Sequence, residues 1–235
     1  MYGFGQTVYF CIFDLSMKKY LKTLPIQIFL LVFSLGSVAQ TAPFENEVKM
    51  LVEKYENTPW KKGGVVFTGS SSIRFWKTLA KDFPKANIIN TGFGGSQAHD
   101  LIRYLDALVI SFEPKKIFIY VGDNDVNAGK SVRQIINEYG VIMERINNSI
   151  PEVTFYFIGA KPSPSRWDKK GQMEALNAEI QKIAESKENV TYIDVWTKML
   201  DKEGNPNENL FIADRLHMNG KGYKIWKKAV KPYLD

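Results

Sequence analysis

The chain has 235 residues, 45% of them hydrophobic and 24% charged, with one Cys, two His and a formal net charge of +6. That balance fits a sizeable globular protein and excludes a disordered polyelectrolyte. The single Cys excludes an intrachain disulfide framework and any paired-thiol zinc or redox site, and two His exclude a multi-histidine metal centre.

The first element is a leader. Met17-Lys18-Lys19-Tyr20-Leu21-Lys22 is basic, Ile26 to Leu35 is apolar apart from Gln27 and Ser34, and Ser37-Val38-Ala39 supplies small residues. This three-part layout is that of a secretory signal peptide, and its apolar run is shorter than the roughly 20 residues that span a bilayer. We therefore expect residues 1–39 to be an N-terminal extension and signal peptide (Met17–Ala39, with Met17 as the working start) and residues 40–235 to be the mature domain. The expected location is the periplasm or the exterior, with no stable membrane anchor. Cys11 would leave with the leader, which suits an oxidising compartment.

The mature region reads as strand and helix in alternation. Glu45–Asn57 has Val48, Leu51, Val52 and Tyr55 at helical spacing. Val65-Val66-Phe67 is a short apolar run flanked by Gly64 and Gly69, as expected of a buried parallel strand. Asn87–Asn90, Lys116–Val121, Val153–Ile158 and Val190–Ile193 repeat that pattern. Helices are expected at about Ser96–Ser111, Val132–Asn148, Lys169–Ser186 and Gly220–Val230. Five strands, each followed by a helix, predict a single α/β domain with a parallel sheet covered on both faces. The basic excess is concentrated on the last helix, where Lys221, Lys224, Lys227, Lys228 and Lys231 oppose Tyr223, Ile225, Trp226, Ala229 and Val230. That is the pattern of a solvated helix face; no nucleic-acid module accompanies it, so no nucleic-acid partner is expected.

Ligands of an open parallel sheet bind outside the carboxyl ends of its strands. The segments found there are Thr68-Gly69-Ser70-Ser71-Ser72-Ile73-Arg74-Phe75-Trp76 after the first strand, Asn90-Thr91-Gly92-Phe93-Gly94-Gly95-Ser96 after the second and Gly122-Asp123-Asn124-Asp125 after the third. Asp214-Arg215-Leu216-His217 follows the fifth. Together they offer a serine, a base that works near neutral pH, a carboxylate to orient that base, and amide donors for an oxyanion, which is the set that acyl transfer requires.

In order and spacing these four blocks resemble the SGNH hydrolases, also called the GDSL esterase/lipase family, over nearly the whole mature chain. The resemblance implies a three-layer α/β/α fold, flavodoxin-like, with a central, mainly parallel five-stranded sheet. It implies Ser71 as nucleophile, His217 as base and Asp214 as its orienting acid, with the Ser71 amide, Gly95 and Asn124 as oxyanion donors and no metal or cofactor. The family carries Asp before the nucleophile, whereas this chain has Ser70. Gly69 and Trp76 frame the block so that Ser71, rather than Ser70 or Ser72, falls at the nucleophile position. The substrate class implied is a small-molecule or carbohydrate ester, with short acyl groups such as O-acetyl favoured.

Other patterns fail on inspection. Asp123 to Asn127 has oxygens at calcium-loop spacing, but Ala128 replaces the loop glycine and Gln134 the closing glutamate. Gln97 breaks a GxGxxG dinucleotide motif. Lys161-Pro162-Ser163-Pro164-Ser165-Arg166-Trp167 follows the fourth strand, and Arg166 and Trp167 are candidates for a substrate-binding wall. The alternative to an enzyme is a non-catalytic carbohydrate-binding protein with Trp167 and Phe93 as a sugar platform.

Overall fold

In the computed structural model, residues 42–234 are described. The leader expected over 1–39 lies outside them. Helix α1 (Glu45–Glu56) leads into strand β1 (Val65–Gly69), followed by the short helices α2 (Ser71–Arg74) and α3 (Leu79–Asp82). Then come β2 (Ile88–Asn90), α4 (Ala98–Leu108), β3 (Lys116–Tyr120), α5 (Asp123–Asn127) and α6 (Val132–Ser149). The chain finishes with β4 (Thr154–Ile158), α7 (Lys170–Ser186), β5 (Val190–Ile193) and α8 (Gly220–Val230).

The five strands pair in the order β2-β1-β3-β4-β5, and every pairing is parallel. Val66 lies opposite both Ile89 and Ile117, and Ile117 lies opposite Phe155. The expected three-layer architecture is present. Strand alternation sends Val66, Ile117, Ile119, Phe155 and Phe157 to a core closed by α1, α4, α6 and α7. It sends Phe67, Phe118, Tyr156 and Ile158 to a second core closed by Ile73, Trp76, Leu79, Trp226 and Val230. There the Phe67, Phe118 and Tyr156 rings stack in series, with centroids 4.3 and 4.5 Å apart.

Three local features set the element boundaries, the first two of them away from the expected positions. β1 runs two residues past its apolar stretch and stops at Gly69, whose φ of 116° and close approach to the Tyr120 carbonyl leave no room for a side chain. α4 starts at Ala98 rather than Ser96, because the Asp100 carboxylate accepts the Gln97 amide at 2.9 Å and caps the helix there. α8 starts where Asn219 Oδ1 accepts the Lys221 amide at 2.8 Å; Tyr223, Trp226 and Val230 are buried, and Lys221, Lys224, Lys228 and Lys231 are exposed. Among the described residues, no helix is long and apolar enough to cross a membrane.

The strand order places the site. After β1 the chain moves outward to β2, then returns past β1 to β3. The connections leaving β1 and β3 therefore diverge, which opens a crevice at the carboxyl ends of those two strands.

Candidate active site

Ser71 stands at that crevice because of how β1 ends. The Ser70 amide donates to the Tyr120 carbonyl at 2.8 Å, extending the β1–β3 pairing by one residue, and the chain then turns at once into α2. Ile73 N and Arg74 N return to the Ser70 carbonyl at 2.9 and 3.2 Å. In this turn Ser70 and Ser72 are buried, and the Ser72 carbonyl accepts the Tyr223 hydroxyl at 2.9 Å. Ser71 alone of the three faces outward. As the first residue of a helical turn, its amide has no intrahelical acceptor.

His217 Nε2 lies 2.9 Å from Ser71 Oγ, and His217 Nδ1 lies 2.6 Å from Asp214 Oδ2. The segment folds on itself, since Asp214 Oδ1 accepts the amides of Leu216 and His217 at 2.9 and 2.8 Å. Arg215 takes a left-handed φ of 57° to make that turn. Burial works to raise the Asp214 pKa. The His217 ring N–H and the two backbone amides outweigh it and hold the carboxyl down at about 2. An ionised Asp214 only accepts, so the network assigns the ring proton to Nδ1 and leaves the Nε2 lone pair facing Ser71 Oγ–H. The half-exposed Phe75 ring stands edge-on to His217 with centroids 4.8 Å apart.

The two other expected donors come from neighbouring loops. Gly95 has φ 61° and an exposed, open surround. The next residue, Ser96, gives its carbonyl to Asn124 Nδ2 at 2.9 Å, so the loops after β2 and β3 meet there. Asp125 ties them again, accepting Ala98 N and Gly122 N, each at 3.1 Å. From α1, Glu47 accepts the Gly94 amide at 3.1 Å and pairs with Arg74 at 3.0 Å. Sequence reasoning did not find Glu47, because nothing in a helix 47 residues upstream marks it as a loop anchor.

Arg166 points inward, whereas Trp167 is half-buried and lines a surface cleft. The Arg166 side chain is 11% exposed; Nη2 donates to Asn124 Oδ1 at 2.9 Å, and Nη1 lies 3.2 Å from Asp123 Oδ2. Trp167 stacks on Trp196 at 5.8 Å with the Lys170 ammonium 4.9 Å from its ring centre. Beside it a cleft of about 370 Å³ is lined by Pro164, Asn205, Glu208 and Arg215 among others. Phe93 is fully buried and packs edge-on against Phe44 and Tyr104, so it offers no surface platform.

Asp123 and Lys161, whose pairing the sequence did not suggest, form a buried pair at 3.2 Å, with the Tyr120 hydroxyl donating to the same carboxylate at 2.9 Å. A charged residue three positions past the end of each of two mostly apolar strands, β3 and β4, was the signal available.

One group of ligand-type side chains occurs among the described residues: His99, Asp125 and Glu138, with donor atoms within 4.8 Å of one another. The Lys130 ammonium occupies its centre, 2.9 Å from His99 Nδ1, 2.9 Å from Asp125 and 2.8 Å from Glu138. A fixed cation already satisfies these groups.

Comparison with known proteins bears on the family and the fold. The model of the GDSL-like Lipase/Acylhydrolase family matches residues 60–225. No functionally curated protein matches the chain. Among solved structures, a candidate acylhydrolase from Bacteroides fragilis is 17% identical with a TM-score of 0.73, covering 83% of this chain and 98% of its own. A GDSL-like lipase from Bacteroides thetaiotaomicron is 19% identical with a TM-score of 0.70 and coverages of 80% and 96%. A carbohydrate esterase of family 3 from Talaromyces cellulolyticus is 19% identical with a TM-score of 0.57 and coverages of 73% and 96%. At these identities the structural likeness concerns the fold. The match of the family model over most of the chain carries membership: this protein belongs to the GDSL-like lipase/acylhydrolase family of hydrolases.

Proposed function

We propose that the protein is an exported serine esterase that removes short acyl groups, such as O-acetyl from carbohydrate, through an acyl-enzyme. The observation that carries the mechanism is the unbroken chain Asp214–His217–Ser71, with contacts of 2.6 and 2.9 Å. His217 Nε2 takes the Ser71 hydroxyl proton as Oγ attacks the ester carbonyl. The carbonyl oxygen becomes an oxyanion that accepts hydrogen bonds from the Ser71 amide, the Gly95 amide and Asn124 Nδ2. The imidazolium, stabilised by Asp214, then protonates the departing alcohol. Water repeats the sequence on the acyl-enzyme and releases the acid.

Two features favour a short acyl chain on a bulky alcohol. The Asp214 side chain is 42% exposed and that of His217 20%, so the reacting groups are accessible from a broad surface. Phe75 beside His217 offers a small apolar contact. The fold shared with a carbohydrate esterase is in keeping with this, and the leader pattern at Met17–Ala39 supports export.

The test is labelling with a fluorophosphonate probe. Wild type should label and Ser71→Ala should not; equal labelling of both, or none of either, removes the serine assignment. Turnover of p-nitrophenyl acetate above longer acyl esters, and acetate release from acetylated xylan, check the substrate class. A mature N-terminus at Gln40 or Thr41 checks export.

A further inference from the structure

The buried cluster behind Asn124 is larger than an oxyanion donor needs for its own support. Asp123 and Lys161 are almost wholly buried, their side chains 4% and 1% exposed, and Arg166 adds a second cation to the same carboxylate. Ion pairs so enclosed carry a desolvation penalty and are weak evidence of stabilisation. Their arrangement reaches the expected oxyanion donor through the 2.9 Å contact from Arg166 Nη2 to Asn124 Oδ1.

That contact decides which way the carboxamide points. Arg166 only donates and the Ser96 carbonyl only accepts, so Oδ1 must face Arg166 and Nδ2 must face Ser96. The flipped amide would set donor against donor and acceptor against acceptor. With Oδ1 and one Nδ2 hydrogen engaged, the remaining hydrogen is left for a ligand. A guanidinium on the amide oxygen also draws density from nitrogen and strengthens that N–H as a donor, more so where water is excluded.

Arg166 is itself held from several sides. Its backbone leaves helical geometry at φ −125°, ψ 23°; its amide donates to Ser163 O at 3.1 Å, and the Ser165 amide donates to Arg215 O at 3.1 Å. Nη1 sits close enough to Asp123 for ion pairing without hydrogen-bond alignment. Burial works to raise Asp123, but Lys161 and Arg166 outweigh it and hold the carboxyl low, so it stays an anion.

We propose that Arg166 is a positioning residue for ester hydrolysis: anchored by Asp123, it locks and polarises the Asn124 carboxamide so that its free N–H meets the developing oxyanion. This rests on the reading of Ser71 as nucleophile and Asn124 as oxyanion donor. It gives Arg166 a role through Asn124 and not in a substrate wall.

The test is a double-mutant cycle on the full chain with p-nitrophenyl acetate, using wild type, Asn124→Ala, Arg166→Met and the double variant. Arg166→Met should lower kcat about 10-fold or more with KM within about 2-fold, because the contact matters in the transition state. In the Asn124→Ala background the same change should cost less than about 2-fold, since nothing remains for Arg166 to orient. Equal losses in both backgrounds, a rise in KM alone, or an unchanged kcat overturns the proposal. If Arg166→Met does not fold by circular dichroism, Arg166→Lys replaces it, because an amine keeps a cation at Asp123 but cannot also reach Asn124. Ser71→Ala runs alongside: full turnover there overturns the serine reading itself, whereas its inactivity with an additive cycle overturns only the role of Arg166.

Discussion

Three adjacent serines differ in nothing that hydropathy or charge can measure, yet the fold gives each a separate place. The family pattern selects Ser71 by register, and the geometry gives the same register a physical basis, since Ser70 and Ser72 face inward from the turn that ends β1. The Asp214–His217 pair was legible because three residues of spacing let one turn bring carboxylate and imidazole together. The inward path of Arg166 was not, because it depends on a kink in the loop and on a carboxylate 43 residues away. Asp214 also carries a pH signature. Its folded pKa of about 2 lies below the ordinary 3.8, so it contributes stability above pH 3.8 that is lost as pH falls through about 2. The shift alone corresponds to ~2 kcal/mol, and solvent screening of a half-exposed side chain leaves ~1 kcal/mol or less. Asp214→Asn should therefore melt slightly below wild type at pH 7, with the gap closing toward pH 2, while kcat at pH 7 falls by ~10³-fold or more. Thermal melts at a series of pH values check this; a gap that persists at pH 2 would show that the carboxylate charge is not its source.

At the level of elements, the strands and long helices were readable because each carries an apolar run or a helical repeat long enough to define a period. The helices α2, α3 and α5, of four or five residues, contain too little sequence to show one. Their existence is set by the loops that meet around them. Asp125 shows the dependence most directly. It is fully buried, pairs with Lys130 at 2.9 Å, and joins the start of α4 to the start of α5 through Ala98 N and Gly122 N. Removing it leaves the amides of Ala98 and Gly122 without their shared acceptor at a buried position, and leaves Lys130 paired with Glu138 alone among carboxylates. Asp125→Ala should cost ~2 kcal/mol, because two buried amides lose their acceptor, while Lys130 keeps Glu138 at 2.8 Å. It should also lower kcat, since the loops carrying Gly95 and Asn124 lose their common tie. Urea unfolding and p-nitrophenyl acetate kinetics measure the two effects; a stable Asp125→Ala protein with wild-type kcat would mean that the loops hold their spacing by packing alone.

For the whole molecule, the apolar runs announce how many strands there are but not their order, because every buried parallel strand reads alike. The order β2-β1-β3-β4-β5 comes from which strands bury against which, and it brings Ser71, Asn124, Arg166 and His217 to one edge from four different connections. A site assembled this way exists only in the complete fold, unless its most exposed piece can melt first. That piece is the segment bearing Asp214 and His217, where Asp214 is exposed. It is nonetheless tied at several points: Ile212 N to His217 O at 2.9 Å, Arg215 O to Ser165 N at 3.1 Å, and Asn219 Nδ2 to the carbonyls of Asn209 and Phe211 at 2.9 and 3.0 Å. Through Asn219 it is continuous with the cap of α8, and through Tyr223 and Trp226 with the second core. Local opening should then require much of the global unfolding free energy, and loss of esterase activity in urea should coincide with loss of tryptophan fluorescence from the buried Trp76 and Trp226. Phe118→Ala removes the middle ring of the Phe67–Phe118–Tyr156 stack and should cost ~3–5 kcal/mol. It should move both transitions to lower urea together, with kcat before the transition within about 2-fold of wild type, since Phe118 lies on the central strand and touches none of the reacting groups. Activity that falls at clearly lower urea than fluorescence would instead mark the His217 segment as a separately melting unit.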